Sequence, residues 1–393
     1  MQKNLNEWLN HLEQNCSPKS LGFNSFKDIV KKMGLSKFTC PIIIVGGTNG
    51  KGSTCHYLKN ILQKSGYNTA CYTSPHLLVF NERIEINGKN CSDIEIINAF
   101  TKIANNTNIK KLTYFEFITL AAFYIFQRYL PDIMILEVGL GGRYDPVNVL
   151  KADISIITNI DLEHTERLGN DREQIAFEKS GILRANQFFI CADKNPPKII
   201  KKIARQLPVK FIQISATAGE APIKIAKKTA TILQKNFNFT INKQHVEQGI
   251  YMGKPRARFQ LLQTDPELII DVAHNPAGAK FLAKQLSERT KARKTIAIVG
   301  ILQTKDAKNI LLPFINLIDE WYCIDLKTPK AIPSQNILTQ LRFLGGKNVH
   351  DCITAKKALE FTLRDAQKRD RIVVLGSFYT AAEIINAYDE GKY

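Results

Sequence analysis

The segment Gly47-Thr48-Asn49-Gly50-Lys51-Gly52-Ser53-Thr54 follows directly on the apolar run Pro41-Ile42-Ile43-Ile44-Val45. A strand that feeds a glycine-rich turn and then a helix is the local build of a phosphate site. Small residues let backbone N–H groups converge on phosphate oxygens, the helix N-terminus favours negative charge, and a lysine adds a mobile cation. On that reading Thr48, Asn49, Gly50, Lys51, Gly52 and Ser53 bind a nucleotide. The usual Walker spacing is not met: only three residues separate Gly46 from Gly50, and Gly52 follows Lys51, which moves the hydroxyl to Ser53.

A nucleotide phosphate calls for magnesium, whose ligands should lie at the ends of neighbouring strands on one edge of a sheet. Three residues qualify. Ser74 follows an apolar strand in Tyr72-Thr73-Ser74-Pro75-His76, Glu137 ends Ile133-Met134-Ile135-Leu136-Glu137, and His164 lies in the loop Asp161-Leu162-Glu163-His164-Thr165 after a further apolar run. A strand-end serine is ordinarily a turn former, and a lone histidine is ordinarily a hydrogen-bonded surface residue. Glu137 is less easily set aside. A carboxylate closing so apolar a strand, before Gly139-Leu140-Gly141-Gly142, is costly to bury without a cation or other partner.

The elements that must carry these residues read as α/β. Short β-branched runs at 42 to 46, 132 to 138, 153 to 158 and 187 to 192 alternate with helix-length amphipathic segments. Beyond about residue 205 the pattern loosens, and 223 to 235 has only modest helical periodicity. The turn Gly253-Lys254-Pro255-Arg256 reads as the linker. A second alternation, with strands near 267 to 272, 295 to 301, 320 to 325 and 371 to 376, predicts a smaller Rossmann-like domain, so the division is 1–254 and 255–393. Two domains also suit 393 residues. Eight widely separated cysteines read as reduced thiols. With no signal peptide or membrane span, the chain reads as a cytoplasmic, monomeric protein without a membrane partner. Its net charge of +18 comes from lysines spread along the chain in short runs, without an aromatic-interleaved basic patch. That favours small anionic substrates over nucleic acid.

Nine segments, the 47 to 54 loop among them, share an order and spacing with one known family. They are G-T-N-G-K-G-S-T (47 to 54), T-S-P-H-L (73 to 77), F-N-E-R-I (80 to 84), T-Y-F-E-F (113 to 117), L-E-V-G-L-G-G-R (136 to 143), H-T-E-R-L-G (164 to 169), E-K-S-G-I (178 to 182), D-V-A-H-N-P (271 to 276) and G-S-F-Y-T (376 to 380). Over nearly its whole length the chain resembles the folylpolyglutamate synthase and dihydrofolate synthase branch of the Mur ligase superfamily. The resemblance implies an N-terminal P-loop domain of the Mur-ligase central type with a mainly parallel sheet, and a C-terminal Rossmann-like glutamate ligase domain. It implies ATP-dependent ligation of L-glutamate to dihydropteroate and to reduced folates through an acyl phosphate. Lys51, Glu137, His164, Lys179 and His274 would be catalytic, with Ser74, Glu137 and His164 holding two Mg2+ ions and Lys179 carried as a carbamate. Thr113, Tyr114, Phe115, Glu116, Tyr144, Asp145 and Pro146 would border the pterin, and Arg258 and Asp271 would meet the phosphate and nucleoside of ATP as the domains close.

The match has departures. The family's asparagine near the start of the last helix of the first domain is absent, its place falling close to Ala226. Glu163 replaces aspartate, Tyr144-Asp145-Pro146 replaces Leu-Asp-Ala, and Arg256-Ala257-Arg258 replaces Pro-Gly-Arg. A monofunctional folylpolyglutamate synthase and a nucleic-acid-dependent P-loop ATPase are the competing readings. A GTP switch would need N-K-x-D, and Asn242-Lys243-Gln244-His245 lacks the aspartate. A peptidoglycan Mur ligase fits the T-S-P-H-L and T-Y-F-E-F segments poorly.

Overall fold

The computed structural model describes residues 3–391 and divides into two compact units, Met1–Gly253 and Lys254–Tyr393. Among the described residues the first unit is built on strands β1 (Ile42–Gly46), β2 (Thr69–Tyr72), β3 (Ile84–Ile86), β4 (Lys89–Asn90), β5 (Ile133–Glu137), β6 (Ile154–Ile157), β7 (Phe188–Cys191) and β8 (Lys210–Gln213). Their order across the sheet is β4-β3-β2-β5-β1-β6-β7-β8. The run from β2 to β8 is parallel, while β3 and β4 turn back antiparallel at one edge. β8 pairs only with β7 and ends the sheet on the other side, with Lys210 and Gln213 exposed.

Both faces of this sheet are covered, which is why its central strands read as unbroken apolar runs. Ile42 and Ile44 point into one core with Met134 and Leu136, whereas Ile43 and Val45 point into the opposite core with Ile133 and Ile135. The strand order fixes the site's location. β5 and β6 flank β1, with Val45 level with both Glu137 and Ile156, so the loops after β1, β5 and β6 leave the same edge side by side. β2 lies just beyond β5 and brings Ser74 to that edge.

Between the predicted linker and residue 205 the structure is more regular than the sequence pattern suggests. The weakly periodic segment 223 to 235 lies within one helix, Ala221–Asn236. Its buried face includes Ala226, Thr229 and Ala230, small residues that carry little hydrophobic signal yet pack closely. A second helix, Lys243–Tyr251, rests on the helix Lys51–Lys64 through Gly249, where a Cβ would come within 2.6 Å of Ile61 Cα.

The second unit is a sheet of β9 (Gln260–Thr264), β10 (Glu267–Ile270), β11 (Thr295–Val299), β12 (Glu320–Ile324), β13 (Val349–Ile353) and β14 (Arg371–Leu375), ordered β13-β12-β11-β14-β10-β9. All are parallel except β9, which pairs antiparallel with β10. The outer strands β9 and β13 escape the sequence reading because they are half exposed and carry polar residues (Gln260 and Gln263; His350 and Asp351). No helix among the described residues is long and apolar enough to cross a membrane.

Candidate active site

The turn after β1 needs glycine for backbone reasons. Gly47 has φ +131°, and a Cβ there would lie 1.9 Å from Thr158 Oγ1; Gly50 has φ +84°. The loop is then tied to the segment after β6. Thr48 N–H donates to Asn159 O (2.9 Å), Asn49 N–H to Asn159 Oδ1 (2.8 Å), and Thr158 Oγ1–H to Asn49 O (2.7 Å). Thr158 and Asn159 carried no sequence signal, because their importance lies in contacts across more than a hundred residues. On the other side the loop meets Pro222, whose Cγ lies 3.6 Å from the Cβ position of Gly50. Ala226, where the family's asparagine would fall by spacing, is buried in the core.

Lys51 opens the helix Lys51–Lys64, and its ammonium donates to Gly47 O and Thr48 O, both at 3.1 Å. Lys179, at the end of the helix Arg172–Lys179, donates to the same Gly47 O at 2.9 Å. Lys179 is 2% exposed, and burial, reinforced by the nearby Lys51 charge, pulls its ammonium down to about 7 against the opposing pull of Glu163. Glu163, at first only a departure from the family pattern, is thus the carboxylate that acts on Lys179.

Glu137 is 4% exposed. Its Oε2 accepts the Ser74 N–H at 3.1 Å, and its two oxygens lie 3.5 and 3.8 Å from the Cβ position of Gly52. His164 sits in the left-handed region (φ +50°) at the start of the helix Thr165–Leu168, with Glu163 and Glu166 carboxylates 3.7 and 3.6 Å from its ring nitrogens. No group of three or more His, Cys, Asp and Glu side chains forms a metal cage among the described residues. The buried Glu137 carboxylate and the neighbouring Ser74 hydroxyl are oxygen donors of the kind a hard cation such as magnesium takes, with water and phosphate oxygens filling the shell, whereas the His164 imidazole is a softer donor better matched to a transition metal.

The acceptor-side residues divide into two groups. Phe115 packs on Gly139 so closely that a Cβ there would meet the ring at 2.6 Å, and its ring lies 5.9 Å from that of Tyr72. Tyr144 is exposed with its ring edge-on to Phe23 at 6.3 Å, and Pro146 opens the turn Pro146–Val149. Glu116 and Asp145 instead turn inward. Thr113 caps the helix Tyr114–Tyr129, with Glu116 Oε2 accepting Thr113 N–H (2.7 Å) and Oγ1–H (2.9 Å) and Oε1 accepting the Ser20 hydroxyl. Asp145 accepts N–H groups of Gly139 (2.9 Å), Leu140 (3.0 Å) and Val147 (3.0 Å). Burial lifts the Asp145 carboxyl to about 7, with those donors and Lys51 opposing the rise. A polar residue beside a ligand pocket and a polar residue building its wall look alike in sequence.

Two residues of the quoted motifs proved more important than their letters suggested. Glu82 accepts the N–H groups of Leu77 (2.7 Å), Leu78 (2.9 Å) and Val79 (3.1 Å), and Arg83 Nε–H donates to His76 Nδ1 at 2.9 Å. Burial and Arg83 hold His76 down to about 4, so it accepts as a neutral ring.

In the second unit, Asp271 accepts Phe259 N–H and Ala273 N–H, each at 2.8 Å. Burial raises its carboxyl, with Arg258 and His274 opposing. His274 Nδ1–H donates to Val272 O (2.8 Å), and Phe378 lies between the Arg258 guanidinium (5.3 Å) and the His274 ring (5.7 Å). The fold therefore gathers Arg258, Asp271 and His274, with Phe378 as the unanticipated member.

Known proteins agree with this architecture. Residues 45–252 match the Mur ligase middle domain and residues 257–378 the Mur ligase glutamate ligase domain. A dihydrofolate synthase/folylpolyglutamate synthase of Buchnera aphidicola subsp. Baizongia pistaciae is 37% identical across 96% of this chain and 94% of its own. The protein of that description in Escherichia coli is 31% identical across 98% and 96%. The solved structure of E. coli FolC in complex with DHPP and ADP superposes with a TM-score of 0.92 at 29% identity, covering 100% of this chain and 99% of that one. A bifunctional folylpolyglutamate synthase/dihydrofolate synthase from Yersinia pestis, complexed with AMPPNP and Mn ion, gives 0.89 at 32%, with 98% of each covered. The chain belongs to the Mur ligase family, in its dihydrofolate synthase/folylpolyglutamate synthase branch.

Proposed function

We infer that this protein is an ATP-dependent ligase that joins L-glutamate to dihydropteroate and to reduced folates through an acyl phosphate. The observation that carries this reading is the buried Glu137 at the end of β5, beside the lysine-bearing phosphate loop of β1 and two residues before the Gly139 surface on which Phe115 packs. Phosphate chemistry and a flat aromatic acceptor surface are thereby served by one stretch of chain.

The pterin-bearing carboxylate attacks the γ-phosphorus of ATP, ADP leaves, and the amine of L-glutamate then displaces phosphate from the activated carbonyl to form the amide. Anion meets anion in the first step, so the protein's work is alignment and charge neutralisation. The N–H groups of Gly50 to Ser53, those of Thr48 and Asn49 being engaged by Asn159, and Lys51 hold phosphate oxygens. Ser74, Glu137 and His164 would hold up to two divalent cations, which supply further charge neutralisation on the transferring group. Lys179 reaches neutrality near pH 7 and can therefore react with carbon dioxide. Its lone pair forms the N–C bond, one C=O π pair becomes a carboxylate, and a proton leaves the nitrogen. Phe115 offers a stacking face bordered by Thr113, Tyr114, Tyr144 and Pro146, while Glu116 and Asp145 keep that wall in shape. We assign residues 1–254 the ATP and pterin roles and 255–393 the glutamate ligase role, with Arg258 on phosphate, Asp271 toward the nucleoside and His274 in the catalytic set.

The test is a product assay with ATP, magnesium and L-glutamate, in which dihydropteroate and tetrahydrofolate are offered separately. Glutamylated product from both is expected. Product from one acceptor alone refutes bifunctionality. ATP hydrolysis that requires DNA or RNA and ignores both acceptors refutes the ligase.

A further inference from the structure

The glycine loop 139–143 and the turn after Lys179 cross backbone against backbone. A Cβ on Gly142 would lie 2.8 Å from Lys179 O, and one on Gly181 would lie 2.3 Å from Arg143 Cα. Arg143 N–H donates to Glu178 O at 2.9 Å across the same crossing. Arg143 itself reaches across, its Nη2–H donating to Phe177 O at 3.0 Å, and a second side chain bridges both backbones. Asn148, 2% exposed, donates from its amide nitrogen to Arg143 O (2.9 Å) on one strand of the crossing and to Gly181 O (3.0 Å) on the other. Its Oδ1 accepts from Arg184 Nη2 at 2.9 Å, and Arg184 Nη1 donates to Gly181 O (2.7 Å) and Leu183 O (2.9 Å).

We propose that Asn148, braced by Arg184, is a positioning residue that holds Lys179 in register with the phosphate loop and with the segment that follows Glu137. The proposal rests on the ligase reading and on the role given there to Lys179. Asn148 points at no reacting group, yet it joins the loop that leaves Glu137 to the turn that ends the Lys179 helix. Only an amide serves, since both carbonyls need donors while Arg184 needs an acceptor. Aspartate is the same size and keeps Arg184 as a partner, but sets an anion against two carbonyl oxygens. Small displacements at such a crossing reach the chemistry, because misplacing a reacting group by about 1 Å costs on the order of a hundredfold in rate.

Wild type, Asn148→Asp and Arg184→Met are compared, each checked for a native far-ultraviolet circular dichroism spectrum. Two readouts are taken: kcat and KM for ATP in glutamate ligation, and the 13C carbonyl resonance of a lysine carbamate after equilibration with 13C-bicarbonate. Wild type is expected to give the resonance and lose it on Lys179→Gln. Folded Asn148→Asp is expected to lose about tenfold or more in kcat, with KM for ATP within about twofold of wild type and a weakened resonance. Arg184→Met should fall between the two. A folded Asn148→Asp with wild-type kcat and resonance overturns the proposal, as does a loss confined to melting temperature. If Asn148→Asp does not fold, Arg184→Met decides by the same criteria. A wild type that makes product without a carbamate resonance also overturns it. A wild type that makes no product refutes the underlying ligase reading, and is recognised without any variant.

Discussion

Gly52 turns its Cα toward the Glu137 carboxylate, and this gives a geometric reason for the missing hydroxyl after Lys51: the space a side chain would enter faces that carboxylate. A Gly52→Ser variant places a hydroxyl within hydrogen-bond reach of Glu137 and diverts an oxygen assigned above to the proposed cation site. We expect it to fold normally and to lose about tenfold or more in kcat/KM for ATP, partly regained at high magnesium, as read by coupled phosphate release. Wild-type kinetics would remove Glu137 from the metal site. Lys179 makes a pH prediction. Its folded value near 7 lies below the ordinary 10.5, so between those values the unfolded chain binds the extra proton and stability rises with pH. Urea unfolding in this window should show a positive slope of stability against pH that diminishes in Lys179→Met. The amine should also label with 13C-bicarbonate increasingly from pH 6 to pH 8, with a midpoint near 7. Labelling that begins only above pH 9 would contradict it.

Elements explain which parts of the site could be read in advance. β1, β5 and β6 were legible because burial on both faces makes them runs of Ile, Leu, Val and Met, broken only by Ser155 in β6, and the residues that end them follow from the parallel sheet. β8, β9 and β13 were not, since half-exposed outer strands dilute the apolar signal with Lys, Gln and His. The inward turn of Glu116 and Asp145 was equally hidden: a capping box and a loop anchor use the residue types that a pterin would also select. Thr158 and Asn159 matter through partners that only the sheet brings close. The helix Lys51–Lys64 carries its own prediction. Gly249 touches the Ile61 backbone, and His56 Nε2 lies 3.1 Å from Gly253 O, so the phosphate-loop helix is seated by the last helix of the first unit. Gly249→Val should force the two helices apart and cost about 1–3 kcal/mol by thermal or urea unfolding. A neutral result would mean that the helices separate freely.

At the scale of the whole molecule the charge is less evenly spread than its short runs suggest. Residues 194–235 contain ten Lys and Arg against the single acid Glu220, which accounts for half of the net +18. All ten are exposed. The field of so basic a chain draws ATP and carboxylate substrates, and it is screened over about 8 Å at physiological salt. Raising ionic strength from about 0.05 to about 0.5 M should lower kcat/KM for ATP severalfold with kcat nearly constant. A flat kcat/KM would show that the surplus charge plays no part in substrate capture.

The same residues bear on how copies of the chain meet one another. An outer parallel strand leaves half its backbone N–H and C=O groups without a neighbouring strand, and such an edge is where sheets of separate molecules join and grow. β8 is such an edge. It carries Lys210 itself, and the helices Lys198–Gln206 and Ala221–Asn236 that flank it carry Lys198, Lys201, Lys202, Arg205, Lys224, Lys227, Lys228 and Lys235. Two such edges brought together would also bring together the charge of Lys210 and of these two basic helices on each copy, so the border that is most open to templated aggregation is also one of strong like charge.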